Sequence, residues 1–507
     1  MLVEPPSMQT PAKAHYRKQY LAAVIAALGA FSIGTIFGWS APVELGLLDH
    51  EEAGFEIRES QFAWVVSLMS LGGAVISLPA GLIVPTLGAR NTLLLFVLPT
   101  MLGWICIIWA NNVVMLLAGR TLTGFGAGAF CMVVPIYIGE IASKEIRGTV
   151  GSFFQQMINL GIVATYALGL ILDVFWLSVA CGVVPIVYGV LFFFMPNTPT
   201  YLVHQGQESN AIAAIKWLRG IHADVTTEIN EIRSQQQRKP ATVVADDDGN
   251  DIDGHGKWPS WKLFRQPATV RALIIMLGIM FFMQASGVNA VLFYSTSIFQ
   301  NFHFFNFRLP LSHTNTFPGI RTQAANAVVE PELATIIIGS IQVFGTLLSS
   351  LVVDRLGRRV LLLTSGSAMC IGVLTLGVYF LVLSNDDPRN QVTADGASNQ
   401  TGWIPIVALC LYVTLFAVGF GPVPWLLLGE IFASEVKGPA SALANMTSFA
   451  MSFVLSLVFP LVRQAIGSGP MFIIFSVFCA LAVVFVALVV PETKGKSLNE
   501  IQSMLAG

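Results

Sequence analysis

The sequence predicts an all-α membrane protein in which twelve transmembrane helices form two six-helix halves. Composition, the length of the apolar runs and an internal repeat together support this prediction. Of the 507 residues, 54% are hydrophobic and only 11% are charged, whereas soluble domains average about 25% charged residues. The composition therefore excludes a soluble protein and makes the lipid bilayer the first expected partner. The net charge of −2 gives no reason to expect a nucleic-acid partner.

Twelve apolar runs have about the length of roughly 20 residues that an α-helix needs to cross a bilayer. The first six lie near residues 20–41, 61–86, 91–110, 113–139, 148–172 and 174–195. The other six lie near residues 269–299, 332–353, 360–384, 403–430, 438–466 and 468–490. We therefore expect an N-terminal half at 1–195, a loop at 196–268, a C-terminal half at 269–490 and a tail at 491–507.

Positive charge predicts the orientation in the membrane. Of the 27 Lys and Arg residues, five fall in loops on one side, namely Arg58, Arg308, Arg321, Arg389 and Arg463. Arg120 falls within a span, and the other 21 lie on the side that holds both termini. Because positive charge collects in the cytoplasm, we expect cytoplasmic termini. The loop 196–268 is then cytoplasmic too, with short amphipathic helices near 211–218 and a disordered acidic part at 234–257.

Three motifs of the N-terminal half recur in the same order in the C-terminal half. Residues 139–148 match 429–438, residues 88–90 match 357–359, and residues 196–199 match 491–494. Charged residues that merely anchor helix ends would explain one such pair, but not three in order. Two halves of like topology around a midplane site are typical of alternating-access transporters.

The seventh apolar run carries polar residues at mid-depth. Gln284 and Asn289 lie about 140° apart on a continuous helix, at about 100° per residue, and Gly287 lies between them. A helix broken at Gly287 would turn both amides toward one cavity, which is where buried amides and broken helices occur in membranes. A polar contact between helices is the alternative interpretation.

Gln284 to Asn289, followed by the aromatic pair Phe293 and Tyr294, resembles the seventh helix of the sugar porters, a family of the major facilitator superfamily. The repeat resembles the same family over nearly the whole chain. Residues 216–225 and 491–498 are particularly similar to the insect facilitated trehalose transporters. The resemblance implies a major facilitator fold and a sugar as the small-molecule partner. Met283 replaces the first of two adjacent glutamines that the family usually carries.

The resemblance also implies which residues bind sugar. These are Gln155, Gln284, Asn289, Tyr294, Gln342, Trp425, Asn445 and Ser448. Four further residues have expected structural roles, namely Arg120, Gly287, Pro422 and Pro424. The implied pocket contains amides, hydroxyls and aromatic rings but no charge, which suits a neutral polyhydroxylated solute.

In sugar porters, charged clusters at the cytoplasmic face pair across the two halves in the outward-open state and separate on inward opening. The resemblance implies this gating role for Arg90, Glu140, Arg147, Asp354, Arg355, Arg358, Arg359, Glu430 and Glu492. The N-terminal cluster departs from the family at the uncharged residues Pro85, Thr86, Ala89, Asn197 and Thr200. We therefore predict a weaker inner latch on the N-terminal half.

Proton-linked sugar porters carry an Asp in the first span, but Ala22 to Val43 contains no carboxylate. The aligned residue is Ile36 or Ser40. This absence favours facilitated diffusion, or uniport, of a trehalose-type or glucose-type sugar. A proton-coupled symporter and a non-transporting sugar receptor on the same scaffold stay open as alternatives.

Enzyme chemistry is not expected, because the sequence has no nucleophile–base constellation, P-loop or ligand-spaced metal cluster. The six cysteines lie in apolar runs without CxxC spacing, so we expect no metal, no cofactor and no disulfide framework. No obligate protein partner is evident. Asn399 begins a glycosylation sequon in a predicted outer loop, so it tests the topology. We expect the protein in the plasma membrane.

Overall fold

The computed structural model describes residues 16–48, 55–143, 146–220, 225–237, 264–294, 331–382, 403–432, 436–496 and 498–506. All regular secondary structure in these ranges is helical. The predicted glycosylation site at Asn399 lies outside the described residues. So do nearly all of the outer loop at 300–331 and most of the acidic part of the cytoplasmic loop.

Six spans form the N-terminal half. Span 1 is Arg17–Gly38 continued by Ser40–Leu48, spans 2 and 3 are Glu59–Ile108, span 4 is Val113–Ile141, span 5 is Arg147–Gly169 and span 6 is Val174–Phe193. Glu59–Ile108 has 50 residues, more than twice the length that crosses a bilayer. Its backbone turns at Gly88, where φ is +79°, so the continuous assignment covers two spans.

The C-terminal half repeats this arrangement with two interrupted helices. Span 7 is Pro267–Ala285 and Val288–Phe293, span 8 is Pro331–Leu356, span 9 is Arg358–Val382, span 10 is Trp403–Val418 and Pro422–Glu430, span 11 is Lys437–Ile466 and span 12 is Ser468–Val489. Ten helices in the described part of the chain are long and apolar enough to cross a membrane. The double helix at Gly88 adds one span. Span 5, whose polar face carries Gln155 and Asn159, is the twelfth.

Three short helices follow span 6, namely Pro199–His204, Glu208–Arg219 and Val225–Gln237. Glu208–Arg219 is the predicted amphipathic segment, and its apolar face is buried. Residues 234–237 are helical, so the stretch predicted to be disordered begins too early. Ion pairs Arg219–Glu228 and Arg233–Glu208 join the second and third helices, which explains why this polar sequence continues as a helix. A fourth helix, Leu498–Ala506, ends the described chain.

The internal repeat extends to backbone geometry and to contacts. Gly357 has φ of +92°, like Gly88 at the matching place. The hydroxyl of Thr198 hydrogen-bonds Glu140, and that of Thr493 donates to the carboxylate of Glu430 at 2.9 Å. The two halves therefore share a local structure around these residues, on the face of each half that holds its repeated motifs. We call it the inner face.

We expect Gly88→Ala to destabilise the protein by about 1–2 kcal/mol, because a side chain at positive φ is strained. A Cβ atom there would also lie 2.8 Å from the Tyr201 ring. Gly139 is the matched control, since it lies in a helix and a Cβ atom there would meet nothing within 4 Å. Gly139→Ala should be neutral or stabilising by at most about 1 kcal/mol. Thermal unfolding of the purified variants tests both, and equal melting temperatures would contradict the strain at Gly88.

Candidate functional site

Span 7 is interrupted at Gly287, where φ is +87° and ψ is 8°. The break brings together the two amides that a continuous helix would separate, and the Nδ2 group of Asn289 donates to Oε1 of Gln284 at 2.7 Å. A Cβ atom at position 287 would lie 2.6 Å from the ring of Phe475. The position therefore requires glycine for both its conformation and its packing.

Span 11 presents one polar face to these amides. It consists of the buried residues Asn445, Ser448, Ser452 and Ser456, and we call it the span 11 stripe. The three- and four-residue spacing places them on the same side of the helix. The Nε2 group of Gln284 donates to the hydroxyl of Ser448 at 2.8 Å. Asn289 Nδ2 donates to the hydroxyl of Ser452 at 2.9 Å.

A second polar cluster joins spans 5 and 8 across the two halves. The Nε2 group of Gln155 donates to Oδ1 of Asn159 at 3.2 Å. Asn159 Nδ2 in turn donates to the hydroxyl of Thr346 at 2.6 Å and to the carbonyl of Gln342 at 3.4 Å. The Oε1 atom of Gln342 is buried and has no hydrogen-bond partner among the described residues. That oxygen is available to accept a hydrogen bond from a solute hydroxyl.

Trp425 and Asn445 both contact residues of the N-terminal half. Trp425 lies in the helix Pro422–Glu430, which follows the break at Gly421. Its ring packs edge to face on that of Phe154 in span 5, with 6.4 Å between ring centroids. Asn445 Nδ2 donates to the hydroxyl of Ser77 at 2.8 Å and to the carbonyl of Gly128 at 3.2 Å. Trp425 thus lines the boundary between halves, and Asn445 bridges it.

Aromatic rings close the outer side of the amide cluster. The ring of Phe37 in span 1 lies 5.9 Å from Phe293 and 6.2 Å from Phe449. Tyr294 meets Phe62 at 6.4 Å and stacks on Phe459 at 5.1 Å. These contacts join the two halves on this side of the amide cluster.

Arg120 is completely buried in the N-terminal half. Its guanidinium donates to the carbonyls of Val65 at 3.0 Å and Ile36 at 3.1 Å, and to the hydroxyl of Ser40 at 2.9 Å. It also lies 5.1 Å from the ring centroid of Trp39. Three neutral acceptors thus satisfy the charged guanidinium and connect spans 1, 2 and 4.

Sequence reasoning missed one buried carboxylate. The predicted first span ended at residue 41, but the helix continues to Leu48 and includes Glu44, which is 7% exposed. Its charge acts on Tyr294 and Arg463, which belong to the other half. The apolar residues that follow Glu44, up to Leu48, were the signal that the helix continues.

The inner face of the C-terminal half is held by charge. Arg358 pairs with Glu430 at 2.8 Å, and the carboxylate of Glu492 accepts the backbone N–H groups of Arg358 and Arg359 at 3.0 Å each. Burial raises the pKa of Glu492, but backbone N–H donors, including that of Lys494, outweigh it and leave the pKa below 4.5.

The N-terminal half has no such carboxylate at the matching place. Asn197 stands where Glu492 stands, and its buried Oδ1 atom has no hydrogen-bond partner among the described residues. Instead the ring of Tyr201 covers Gly88, and its hydroxyl donates to the carbonyl of Thr86 at 3.0 Å. Among the described residues for which a gating role is predicted, the ion pair Arg358–Glu430 lies within one half.

A family model described as sugar (and other) transporter matches residues 22–505. The chain belongs to this family. The Tret1 facilitated trehalose transporters of Aedes aegypti and Culex quinquefasciatus are each 32% identical to it over 489 residues, or 96% of this chain. The chain spans 55% of the Aedes protein and 86% of the Culex protein.

Solved structures of the xylose transporter XylE from E. coli share the fold. A partially occluded inward-open form has a TM-score of 0.72 and 21% identity, covering 95% of this chain and all of the other. The proton:xylose symporter XylE with bound 6-bromo-6-deoxy-D-glucose gives the same TM-score and identity, covering 97% of this chain. The predicted family and the predicted twelve-helix major facilitator fold are confirmed. The protein is a multi-pass membrane protein of a transporter family, which is not a family of enzymes.

We expect Glu492→Gln to lower the melting temperature at pH 7, because a neutral amide is a weaker acceptor for the N–H groups at the start of span 9. A lowered pKa in the folded state means that the carboxylate stabilises the fold above its ordinary value of 4.5. That contribution disappears as the pH falls through the lowered pKa. The difference between variant and wild type should therefore shrink below pH 4.5.

Asn197→Ala is the matched control in the other half. Its effect on the melting temperature should be smaller and independent of pH, since no titrating group is removed. A Glu492→Gln difference that stays constant with pH would contradict the role of the carboxylate.

Proposed function

We propose that this protein carries a neutral sugar, of the trehalose or glucose type, across a membrane by facilitated diffusion with alternating access. The observation that supports this most is the uncharged hydrogen bonding at mid-depth, where Gln284 and Asn289 of span 7 bond each other and span 11. A second uncharged cluster joins Gln155 and Asn159 of span 5 to span 8. Amide groups match sugar hydroxyls because both donate and accept. The trehalose transporters among the relatives support the same solute class.

The proposed sugar contacts fall into two groups. Gln284, Asn289 and Ser448 supply donors and acceptors from the C-terminal half. Gln155 of the N-terminal half and the accepting Oε1 atom of Gln342 in span 8 supply them from the second polar cluster. In the proposed complex these groups exchange their present partners for sugar hydroxyls, so each buried polar atom stays satisfied.

Aromatic groups complete the proposed pocket. Trp425, placed by Pro422 and Pro424 after the break in span 10, offers an indole face for a sugar ring and an N–H donor. Tyr294 lies on the outer side of the pocket, where its hydroxyl donates to the carbonyl of Ser456 at 3.1 Å and its ring stacks between helices. Asn445 bridges the two halves at the edge of the pocket.

The aromatic contacts between the halves on the outer side of the amide cluster support an inward-facing state in the proposed cycle. The clusters proposed to hold the opposite, outward-facing state are Arg90, Glu140 and Arg147 in one half and Asp354, Arg355, Arg358, Arg359, Glu430 and Glu492 in the other. Opposite charges near a surface contribute only a few kcal/mol at an effective dielectric constant of about 20, which biases a switch without locking it. We place both termini in the cytoplasm, as the charge distribution supports, and we propose the plasma membrane as the location.

The surroundings of Arg120 favour uniport. At the position where proton-linked members have an acid, the guanidinium meets the hydroxyl of Ser40 and the carbonyl of Ile36. No carboxylate is hydrogen-bonded to Arg120 among the described residues. Substrate movement therefore needs no protonation at this place.

A proton-coupled symporter is the second candidate, and Glu44 is the observation that favours it. Its carboxylate is buried at the outer end of span 1, within electrostatic reach of Tyr294 in the other half. Buried acids in membrane spans commonly carry protons. Under this alternative, Glu44→Gln would abolish accumulation and leave only downhill flux.

We expect the purified protein in liposomes to take up labelled trehalose or glucose saturably, up to equal concentrations and regardless of an imposed pH gradient. Gln284→Ala should reduce uptake at low sugar concentration about tenfold, the loss of one buried hydrogen bond. Accumulation above equilibrium with protons would establish the symporter. Binding without flux of either sugar would establish a receptor.

We expect Ser40→Asp to make uptake depend on an inward proton gradient, because its carboxylate would stand where Arg120 now meets a hydroxyl at 2.9 Å. Ser40→Asn is the neutral control of nearly equal size and should stay insensitive to the gradient. If Ser40→Asp transports at the wild-type rate at every pH, the acceptor of Arg120 does not decide coupling.

A further inference from the structure

Asn289 uses both of its amide protons in this structure. One is donated to Oε1 of Gln284 at 2.7 Å and the other to the hydroxyl of Ser452 at 2.9 Å. An amide NH₂ group has two protons to donate. Any sugar hydroxyl that accepts from Asn289 must therefore replace Gln284 or Ser452 as the partner.

Ser452 also contacts the other half of the protein. Its hydroxyl lies 3.0 Å from that of Ser70 in span 2, and the two are 2% and 1% exposed. A hydroxyl has one proton and two acceptor sites. Ser452 can thus accept from Asn289 and exchange a second hydrogen bond with Ser70 at the same time.

Among the described contacts of the span 11 stripe, only the hydroxyl of Ser452 bonds both an amide of span 7 and the opposite half. The hydroxyl of Ser448 bonds Gln284 only, within its own half. The hydroxyl of Ser456 donates to carbonyls of its own helix. Asn445 reaches the N-terminal half but neither amide of span 7. In these contacts Ser452 alone connects an amide of span 7 to the opposite half.

We propose that Ser452 is a positioning residue that orients Asn289 for the sugar and transmits the occupancy of the site to the contact between spans 2 and 11. The proposal rests on the proposed function and deepens it.

The physical basis is the polarisation of one hydrogen bond by the next. A hydroxyl that accepts a hydrogen bond becomes a better donor, so bonds in a chain strengthen one another. In the proposed complex a sugar hydroxyl replaces Gln284 as the acceptor of one Asn289 proton, while Ser452 keeps the other and so holds the amide in place. The change in the polarisation of that amide passes through Ser452 to its bond with Ser70. Sugar binding thereby alters one contact that holds the halves together at mid-depth, where they must move for the protein to switch.

The alternative role of these hydroxyls is to hold the helices together as polar contacts, without any link to the sugar. Ser452→Ala, Ser70→Ala and the double variant separate the two roles. Ser67→Ala is the matched control, because Ser67 is equally buried one turn from Ser70 and its hydroxyl contacts only its own helix, at 3.4 Å from the Trp64 carbonyl. Ser452→Thr restores a hydroxyl and tests rescue.

The experiment measures trehalose and glucose Kd by calorimetry on purified protein, and sugar turnover in liposomes. We expect Ser452→Ala to raise Kd about threefold to tenfold, as for one lost hydrogen bond, and Ser452→Thr to recover most of the affinity. Ser70→Ala should leave Kd within about twofold of wild type and change turnover. Because Ser70 and Ser452 share one bond, their effects on turnover should not add in the double variant.

Wild-type Kd in Ser452→Ala would overturn the positioning role. Turnover effects of Ser70→Ala and Ser452→Ala that simply add, or that Ser67→Ala reproduces, would overturn the link between halves. If the wild-type protein neither binds nor moves either sugar, the proposed function itself is wrong, and this outcome is distinct from the others.

Discussion

The interruption of span 7 at Gly287 is the constraint on which the rest of the site depends. A break in a membrane helix frees backbone groups that the bilayer cannot satisfy. Here the carbonyl of Ser286, at the break, accepts from the hydroxyl of Tyr412 at 2.9 Å. The carbonyl of Leu292, near the end of the short segment that follows, accepts from Tyr166 at 2.9 Å. Tyr412 belongs to span 10 and Tyr166 to the opposite half, so the segment after the break is supported at both of its ends.

This support has a consequence for movement. The Tyr166 bond joins the outer end of span 7 to the N-terminal half, as do the aromatic contacts of Phe293 and Tyr294. The segment after Gly287 therefore contacts both halves, whereas Pro267–Ala285 packs within its own. Under the proposed alternating access, Gly287 is the natural place for the two segments to change their relative angle.

The sequence predicts the fold well because its signals are local or repeated. Apolar length identifies the spans, and Gly88 and Gly357 mark the same turn in both halves. The glycine between Gln284 and Asn289 likewise indicates the break and the meeting of the amides. The predicted end of span 1, at residue 41, was wrong because a carboxylate such as Glu44 is typical of a loop outside the membrane. Only its packing against other helices buries it.

Partners across the halves could not be predicted in the same way. Asn159 and Ser452 fall on polar faces at helical spacing from Gln155 and Ser448, which identifies a buried face but not what it meets. The contacts with Thr346 and Ser70 depend on how two helices of separate halves lie against each other. The spacing of residues along one helix does not show which residues of another helix it will contact.

The two inner faces show how one backbone can carry two kinds of support. At Gly357 the carboxylate of Glu492 binds the first N–H groups of span 9, while at Gly88 the ring of Tyr201 fills the matching space. An ionic support weakens with salt and low pH, whereas aromatic packing responds to neither. Arg90 accordingly donates to the neutral groups of Asn91 and Phe193, where Arg358 pairs with Glu430. The N-terminal half thus has the same local structure with uncharged residues at these positions.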